Sequence, residues 1–167
     1  MNEQNDLAQK HAIIERIKQV FPKNPRVKGK KWTKITNGLD QLAEERLQDM
    51  LQGKRWEDVI GHQSIGYNMT EIDHLFEITD EAYRYYLPAF LVASLLNPGI
   101  WFSYQLAIEK MWKISSRFTF EQLETFIAYL EFQAQFLRIH SRDRDAIEVI
   151  EDMMLRLMIR RDEVVKG

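Results

Sequence analysis

Apolar residues recur along this chain at helical spacing almost throughout, and strand-type alternation nowhere runs beyond about four residues. Leu7, Ile13, Ile14, Ile17, Val20 and Phe21 form a narrow first stripe that ends before Pro22. The stretch 22–36 holds two prolines, one glycine and many lysines and predicts a basic loop. From Asn37, helical spacing returns with Leu39, Leu42, Ala43, Leu47, Met50 and Leu51, and Glu44, Glu45 and Arg46 fall on the opposite face. Gly53 is placed to stop that helix, because glycine adopts the left-handed conformation that follows a helix C-terminus. Trp56 to Ile60 reads as one further turn, and 61–68, with two glycines, as irregular.

The second half is denser in helix signals. Thr79 predicts an N-cap, with Asp80 and Glu81 in the first turn where carboxylates complement the positive end of the helix dipole. The helix it opens, 80–96, is closed by Asn97, Pro98 and Gly99. A helix over 99–114 carries Trp101, Tyr104, Leu106, Ile108, Met111 and Trp112. Thr119-Phe120-Glu121-Gln122 has the form of a capping box, opening a helix whose stripe is Leu123, Phe126, Ile127, Leu130, Ala134 and Leu137. Ser141 or Asp143 can cap the last helix, whose wide stripe is Ala146, Ile147, Ile150, Met153, Met154, Leu157 and Met158, up to Arg160 and Arg161. The pattern predicts an all-α fold: a single domain over 1–167, an orthogonal or irregular bundle of about six to seven helices.

Pro88 lies inside the most apolar of these patterns. An interior proline removes one helical hydrogen bond and costs about 3 kcal/mol. Two arrangements accommodate it: a kink that frees the Arg84 carbonyl, or a helix ending at Leu87 with a second one starting at Pro88 as its first residue. Arg84 stands among Tyr83, Tyr85, Tyr86, Leu87 and Phe90, with Asp80 four residues earlier as its simplest partner and Asp73 and Glu77 as others. An arginine stacked on tyrosines also suits an anionic group or a protein partner.

The same stretch carries a resemblance. Residues 76–95 (Phe-Glu-Ile-Thr-Asp-Glu-Ala-Tyr-Arg-Tyr-Tyr-Leu-Pro-Ala-Phe-Leu-Val-Ala-Ser-Leu) are similar to the Phe-Leu-Thr-Pro-Glu-Ala-Phe-Arg-Tyr-Tyr-Leu-Pro-Ala signature of a bacterial family of unknown function. Gln52 to Val59 is similar to the Gly-Lys-x-Trp element preceding that signature, and Arg117 to Gln122 to a Phe-Thr-x-x-Gln helix start. The likeness runs over about residues 50–130. Glu77-Ile78 and Asp80 depart from the commoner residues without harming the cap. Since the family has no known activity, the resemblance implies a fold and transfers no residue roles.

Composition narrows the function classes. A chain of 167 residues buries roughly 70% of its unfolded surface, enough for a stable core without disulfide or metal. With no cysteine, thiolate catalysis and Cys-ligated zinc are excluded. The longest apolar run, Tyr85 to Leu96, covers 12 residues against the roughly 20 of a membrane span, and the polar start does not read as an export signal. A cytoplasmic protein with no membrane association is the expectation. His11, His62, His74 and His140 are scattered over separate elements, and Glu71-x-x-His74 lacks the second such pair that a di-iron site requires. No metal and no cofactor is expected, and the reading leans away from an enzyme. Between Arg16 and Leu39 there are eight Lys or Arg and no acid, although the chain as a whole carries −2. Lys23, Arg26, Lys28, Lys30 and Lys31 are therefore candidate anion-binding residues, with nucleic acid disfavoured because no recognition motif accompanies them.

By elimination, the favoured function is a non-catalytic module that binds another protein, such as a toxin-neutralising, immunity-like protein, as monomer or homodimer. Its candidate surface comprises Arg84, Tyr83, Tyr85, Tyr86 and Trp101. The alternative is an enzyme or small-ligand binder with a pocket between helices near Pro88, lined by Tyr83, Tyr86, Trp101 and Tyr104 with Arg84 as its polar group. Weak nucleic-acid binding through residues 16–34 is third. Far-UV circular dichroism should give a helix-dominated spectrum, and substantial strand signal would overturn the fold class.

Overall fold

The chain is all-α in the computed structural model, which describes residues 3–23, 45, 49–60, 79–96, 104–141 and 143–166. Six helices have both ends among the described residues: α1 (Glu3–Val20), α2 (Trp56–Val59), α3 (Asp80–Leu96), α4 (Tyr104–Ser115), α5 (Phe120–His140) and α6 (Arg144–Lys166). Residues 49–51 are helical as well. The chain divides into two compact units: Met1–Val20 with Tyr104–Gly167, and Phe21–Ser103. The first unit is thus discontinuous in sequence.

In the first unit, α5 packs on α6, α1 on α5, and α4 on α6. All six predicted stripe residues of α5 are buried, and Thr125, Tyr129, Phe132 and Gln133 are buried with them, so α5 is covered well beyond one stripe. Such a helix is a core element, and each large apolar side chain buried along it contributes roughly 1.5–3 kcal/mol. On α6 the buried set is Ala146, Ile150, Met153 and Leu157, with Ile147, Met154 and Met158 half-buried. The helix runs five residues past Arg161, where its apolar stripe has ended. On α1 the packed face comprises Ile13, Ile14 and Ile17, while Leu7 is 53% exposed, so the predicted stripe loses its first member.

The α5–α6 hairpin is antiparallel and ion-paired at both ends. Arg138 near the end of α5 pairs with Glu151 near the start of α6. Arg161 near the end of α6 pairs with Glu124 near the start of α5 at 2.8 Å. Asp143 caps α6 by accepting from the Ala146 N–H at 3.0 Å, with Ser141 Oγ in turn accepting from the Asp143 N–H.

Both remaining junctions of this unit are made at helix ends, where carbonyls lack intrahelical donors. The predicted capping box at α5 forms: Thr119 Oγ accepts from the Gln122 N–H at 3.3 Å, and Gln122 Oε1 accepts from the Thr119 N–H at 3.1 Å. Gln122 Nε2 then donates to the Val20 carbonyl at the end of α1, at 3.0 Å. One amide therefore closes the start of α5 and the end of α1, which a glutamate in the same place could not do. At the end of α4, Arg160 from α6 lies with its guanidinium 3.7 Å from the centroid of the Trp112 ring. Its Nη1 donates to the Trp112 carbonyl at 2.9 Å and to Ser115 Oγ, so the cation meets the negative end of the helix dipole.

In the second unit, α3 is buried on nearly every side: only Asp80, Glu81, Arg84 and Leu96 are not buried. Thr79 caps it as predicted, its hydroxyl accepting from the Ala82 N–H at 3.3 Å. The helix is continuous through Pro88, so the arrangement with a second helix starting at that residue is not formed. Burial of the residues on both sides of Pro88 holds the helical path against the lost hydrogen bond, because the apolar contacts outweigh one missing bond of about 3 kcal/mol. Gly53 takes φ of 71° after the helix that ends at Leu51, the predicted C-terminal stop, and α2 supplies the predicted turn after it. The remainder of the predicted basic loop, most of the helix from Asn37, the irregular stretch 61–68 and the start of the 99–114 helix lie outside the described residues.

Gln122→Ala should lower stability by about 1–2 kcal/mol, through loss of both the box and the Val20 contact. Gln122→Glu should also destabilise, despite glutamate being the commoner partner in a capping box. Urea unfolding midpoints check both; a Glu variant at least as stable as the wild type would show that the contact to Val20 is unimportant.

Candidate functional site

Three aromatic side chains in the second unit share one task. Trp56 on α2 is fully buried and its indole N–H donates to the Pro22 carbonyl at 3.0 Å. On α3, the Tyr85 hydroxyl donates to the Lys23 carbonyl at 3.0 Å. The Tyr86 hydroxyl shares its proton between the carbonyls of Leu51 and Lys54, the bond to Leu51 being the shorter. The two tyrosine rings meet edge to face at 4.9 Å between centroids, a geometry worth roughly 0.5–1.5 kcal/mol beyond burial alone. Adjacent tyrosines on a helix point about 100° apart, and this divergence lets Tyr85 reach one segment and Tyr86 the other. The result is two pieces of irregular backbone, Pro22–Lys23 and Leu51–Lys54, pinned to one helix.

Those pinned pieces and α2 carry charges of both signs facing solvent. Lys23 Nζ lies 3.5 Å from Glu57 Oε1, and Arg55 Nε lies 3.6 Å from Asp58 Oδ2. The Arg55 N–H also donates to Asp58 at 3.2 Å, closing the start of α2. Lys54 Nζ donates to the Asp49 carbonyl at 2.5 Å. Beside this patch, Glu45, Asp49, Gln52 and Lys54 line an open depression of about 400 Å³. The chemistry on offer is a rigid, mixed-charge surface resting on apolar supports. Among the described residues no group of three His, Cys, Asp or Glu is placed to hold a metal ion.

The predicted site residues are distributed unevenly. Tyr83, Tyr85 and Tyr86 are buried, at 1%, 6% and 3% exposure, with the last two hydroxyls committed to backbone. Arg84 is half-buried on the same helix. Its expected ion pair with Asp80 is not among the contacts of the described residues, and Asp80 is not without a partner. Asp80 belongs to the first turn of α3. Trp101, Arg26, Lys28, Lys30 and Lys31, like Asp73 and Glu77, lie outside the described residues, and the expected pocket near Pro88 depends on Trp101. Lys23 is exposed and ion-paired within the chain to Glu57; Lys18 of the same basic stretch is paired to Glu15 at 2.7 Å. Sequence reasoning passed over Trp56, Lys54, Arg55, Glu57 and Asp58 as candidates. A tryptophan three residues after a glycine stop, set among four charges, was the available signal.

Burial shapes the titration of the tyrosine pair. The Tyr86 phenol is pushed up to about 12, chiefly by burial and then by the neighbouring Tyr85. Tyr85 is also raised by burial, opposed by a hydrogen bond with the Trp56 backbone and by the positive charge of Arg55.

No family model, no curated protein and no solved structure matches this chain. No helix of the described residues is long and apolar enough to cross a membrane.

Tyr86→Phe should cost about 1–2 kcal/mol, since it keeps the ring but removes the hydroxyl's bonds to the Leu51 and Lys54 carbonyls, of which Leu51 still accepts from the Lys54 N–H at 3.2 Å. The unfolded chain releases the phenol proton near pH 10 and the folded chain near 12. Wild-type stability should therefore be intact below pH 10 and fall between pH 10 and 12, and the Phe variant should fall less steeply. Urea melts at several alkaline pH values test this; parallel pH profiles for the two proteins would refute it.

Proposed function

We propose that this protein is a non-catalytic interaction module that acts by binding another protein, in the manner of a toxin-neutralising, immunity-like partner. The reading rests on one observation: Trp56, Tyr85 and Tyr86 hold the backbone of Pro22–Lys23 and Leu51–Lys54 in place beneath exposed charges of both signs. A surface whose backbone is already ordered loses little conformational entropy on binding, so its charges can be spent on recognition. Mixed signs favour a protein surface of complementary pattern over a uniform polyanion. Lys23, Arg55, Glu57 and Asp58 are the contact residues in this reading, with half-buried Arg84 as a further candidate on α3. The tyrosines act as supports beneath the surface. The cytoplasm remains the proposed location, and membership of the bacterial family with the similar signature the proposed relationship.

Recovery of partners by the tagged protein from its native cells, quantified by mass spectrometry, tests the proposal. Arg55→Glu combined with Lys54→Glu lies on exposed or half-exposed positions and should leave folding unchanged within about 0.5 kcal/mol. The expected outcome is a protein captured by the wild type and depleted at least about tenfold with the double variant, equivalent to about 1.4 kcal/mol. Capture of nothing above background, or equal capture by both proteins, would sink the reading; captured nucleic acid in place of protein would favour the basic segment instead.

A further inference from the structure

The outer face of α6 carries a second pattern, opposite its buried stripe. Glu148, Asp152, Leu155, Ile159, Asp162 and Lys166 are all exposed and follow one another at intervals of 4, 3, 4, 3 and 4 residues. This is the spacing of a coiled-coil seam. Leu155 and Ile159 at its centre are 58% and 55% exposed, large values for aliphatic side chains one turn apart on a helix. The series reads the same from either end, with its midpoint at Leu157.

We propose that this face pairs with a second copy of the chain, the two α6 helices running antiparallel across a two-fold axis at residue 157. In that register Leu155 meets Ile159 of the second copy and Ile159 meets its Leu155, so both exposed aliphatics are covered. Glu148 meets Lys166 of the second copy at each end, giving two ion pairs of opposite charge. The intervening layers place Asp152 opposite Asp162, and each acid already has a cation from its own chain. Arg156 Nε lies 2.8 Å from Asp152, and Arg161 Nη2 lies 2.9 Å from Asp162. A parallel pairing would instead set Glu148 against Glu148 and Lys166 against Lys166, with like charges at both ends. The charge pattern therefore selects the antiparallel form. The seam spans roughly 28 Å of helix, at 1.5 Å per residue. Two aliphatics per chain over that length make an interface at the small end of the specific range, so the dimer is weak and reversible.

Sedimentation velocity of the full chain from about 1 to 500 µM should show a concentration-dependent monomer–dimer equilibrium in the upper part of that range. Leu155→Glu or Ile159→Glu should abolish it without loss of helical circular dichroism, since both positions are exposed. Glu148→Lys alone and Lys166→Glu alone should each weaken association about tenfold, and the double exchange should restore it. A wild type monomeric at every concentration overturns the proposal, as does dimerisation that survives Leu155→Glu. Failure of the double exchange to recover what the singles lose overturns the antiparallel register.

Discussion

Carbonyl groups at the ends of helices govern how this chain is assembled. The last four carbonyls of every helix lack intrahelical donors, and any that leave water must find a donor elsewhere. Here side chains distant in sequence donate to carbonyls at helix ends and in the irregular backbone just beyond them. Gln122 serves Val20, Trp56 serves Pro22, Tyr85 serves Lys23, Tyr86 serves Leu51 and Lys54, and Arg160 serves Trp112. Each bond nets only about 1 kcal/mol, but leaving a buried carbonyl without its donor costs about 1–3 kcal/mol, so these contacts restrict which packings are allowed.

That constraint bears on the tyrosines of α3. Its tyrosines bring apolar rings for the core and hydroxyls that reach the surrounding irregular backbone. A phenylalanine in either place would keep the ring and lose the bond to the Lys23 carbonyl, or those to the Leu51 and Lys54 carbonyls. The burial that raises the Tyr86 phenol to about 12 follows from the same arrangement. In the proposed function this anchoring has a consequence at the surface: charges on ordered backbone recognise a partner at lower entropic cost than charges on a wandering loop.

α6 works on two faces with different physics. Its inner stripe of Ala146, Ile150, Met153 and Leu157 is buried by apolar packing, and Arg160 and Arg161 tie its end to α4 and α5. Its outer face carries two aliphatics within a charged series whose ends, Glu148 and Lys166, are complementary when reversed. Surface aliphatics occurring singly need no explanation, but a pair one turn apart at the centre of a symmetrically spaced series is a specific arrangement.

Local physics made much of the fold legible in the sequence. Periodicity marked the helices because an amphipathic helix must turn one face to the core, and Thr79, Thr119, Asp143 and Gly53 marked their ends because caps act over three or four residues. The Tyr-Arg-Tyr-Tyr-Leu-Pro stretch stood out for the same local reason, its composition. Long-range choices were hidden. Whether Pro88 would break its helix depended on the packing around it. That Gln122 would reach Val20, or Tyr85 and Tyr86 the backbone at Lys23 and Leu51, could not be read from spacing, since the partners lie 35 to 102 residues away. The chain's pattern by itself determined that it is helical and where most helices begin and end. Only the tertiary structure decided which side chains serve which carbonyls, and thereby which tyrosines are supports and which charges face solvent, because hydrogen-bond satisfaction of buried backbone is settled by packing in space and leaves no periodic trace in sequence.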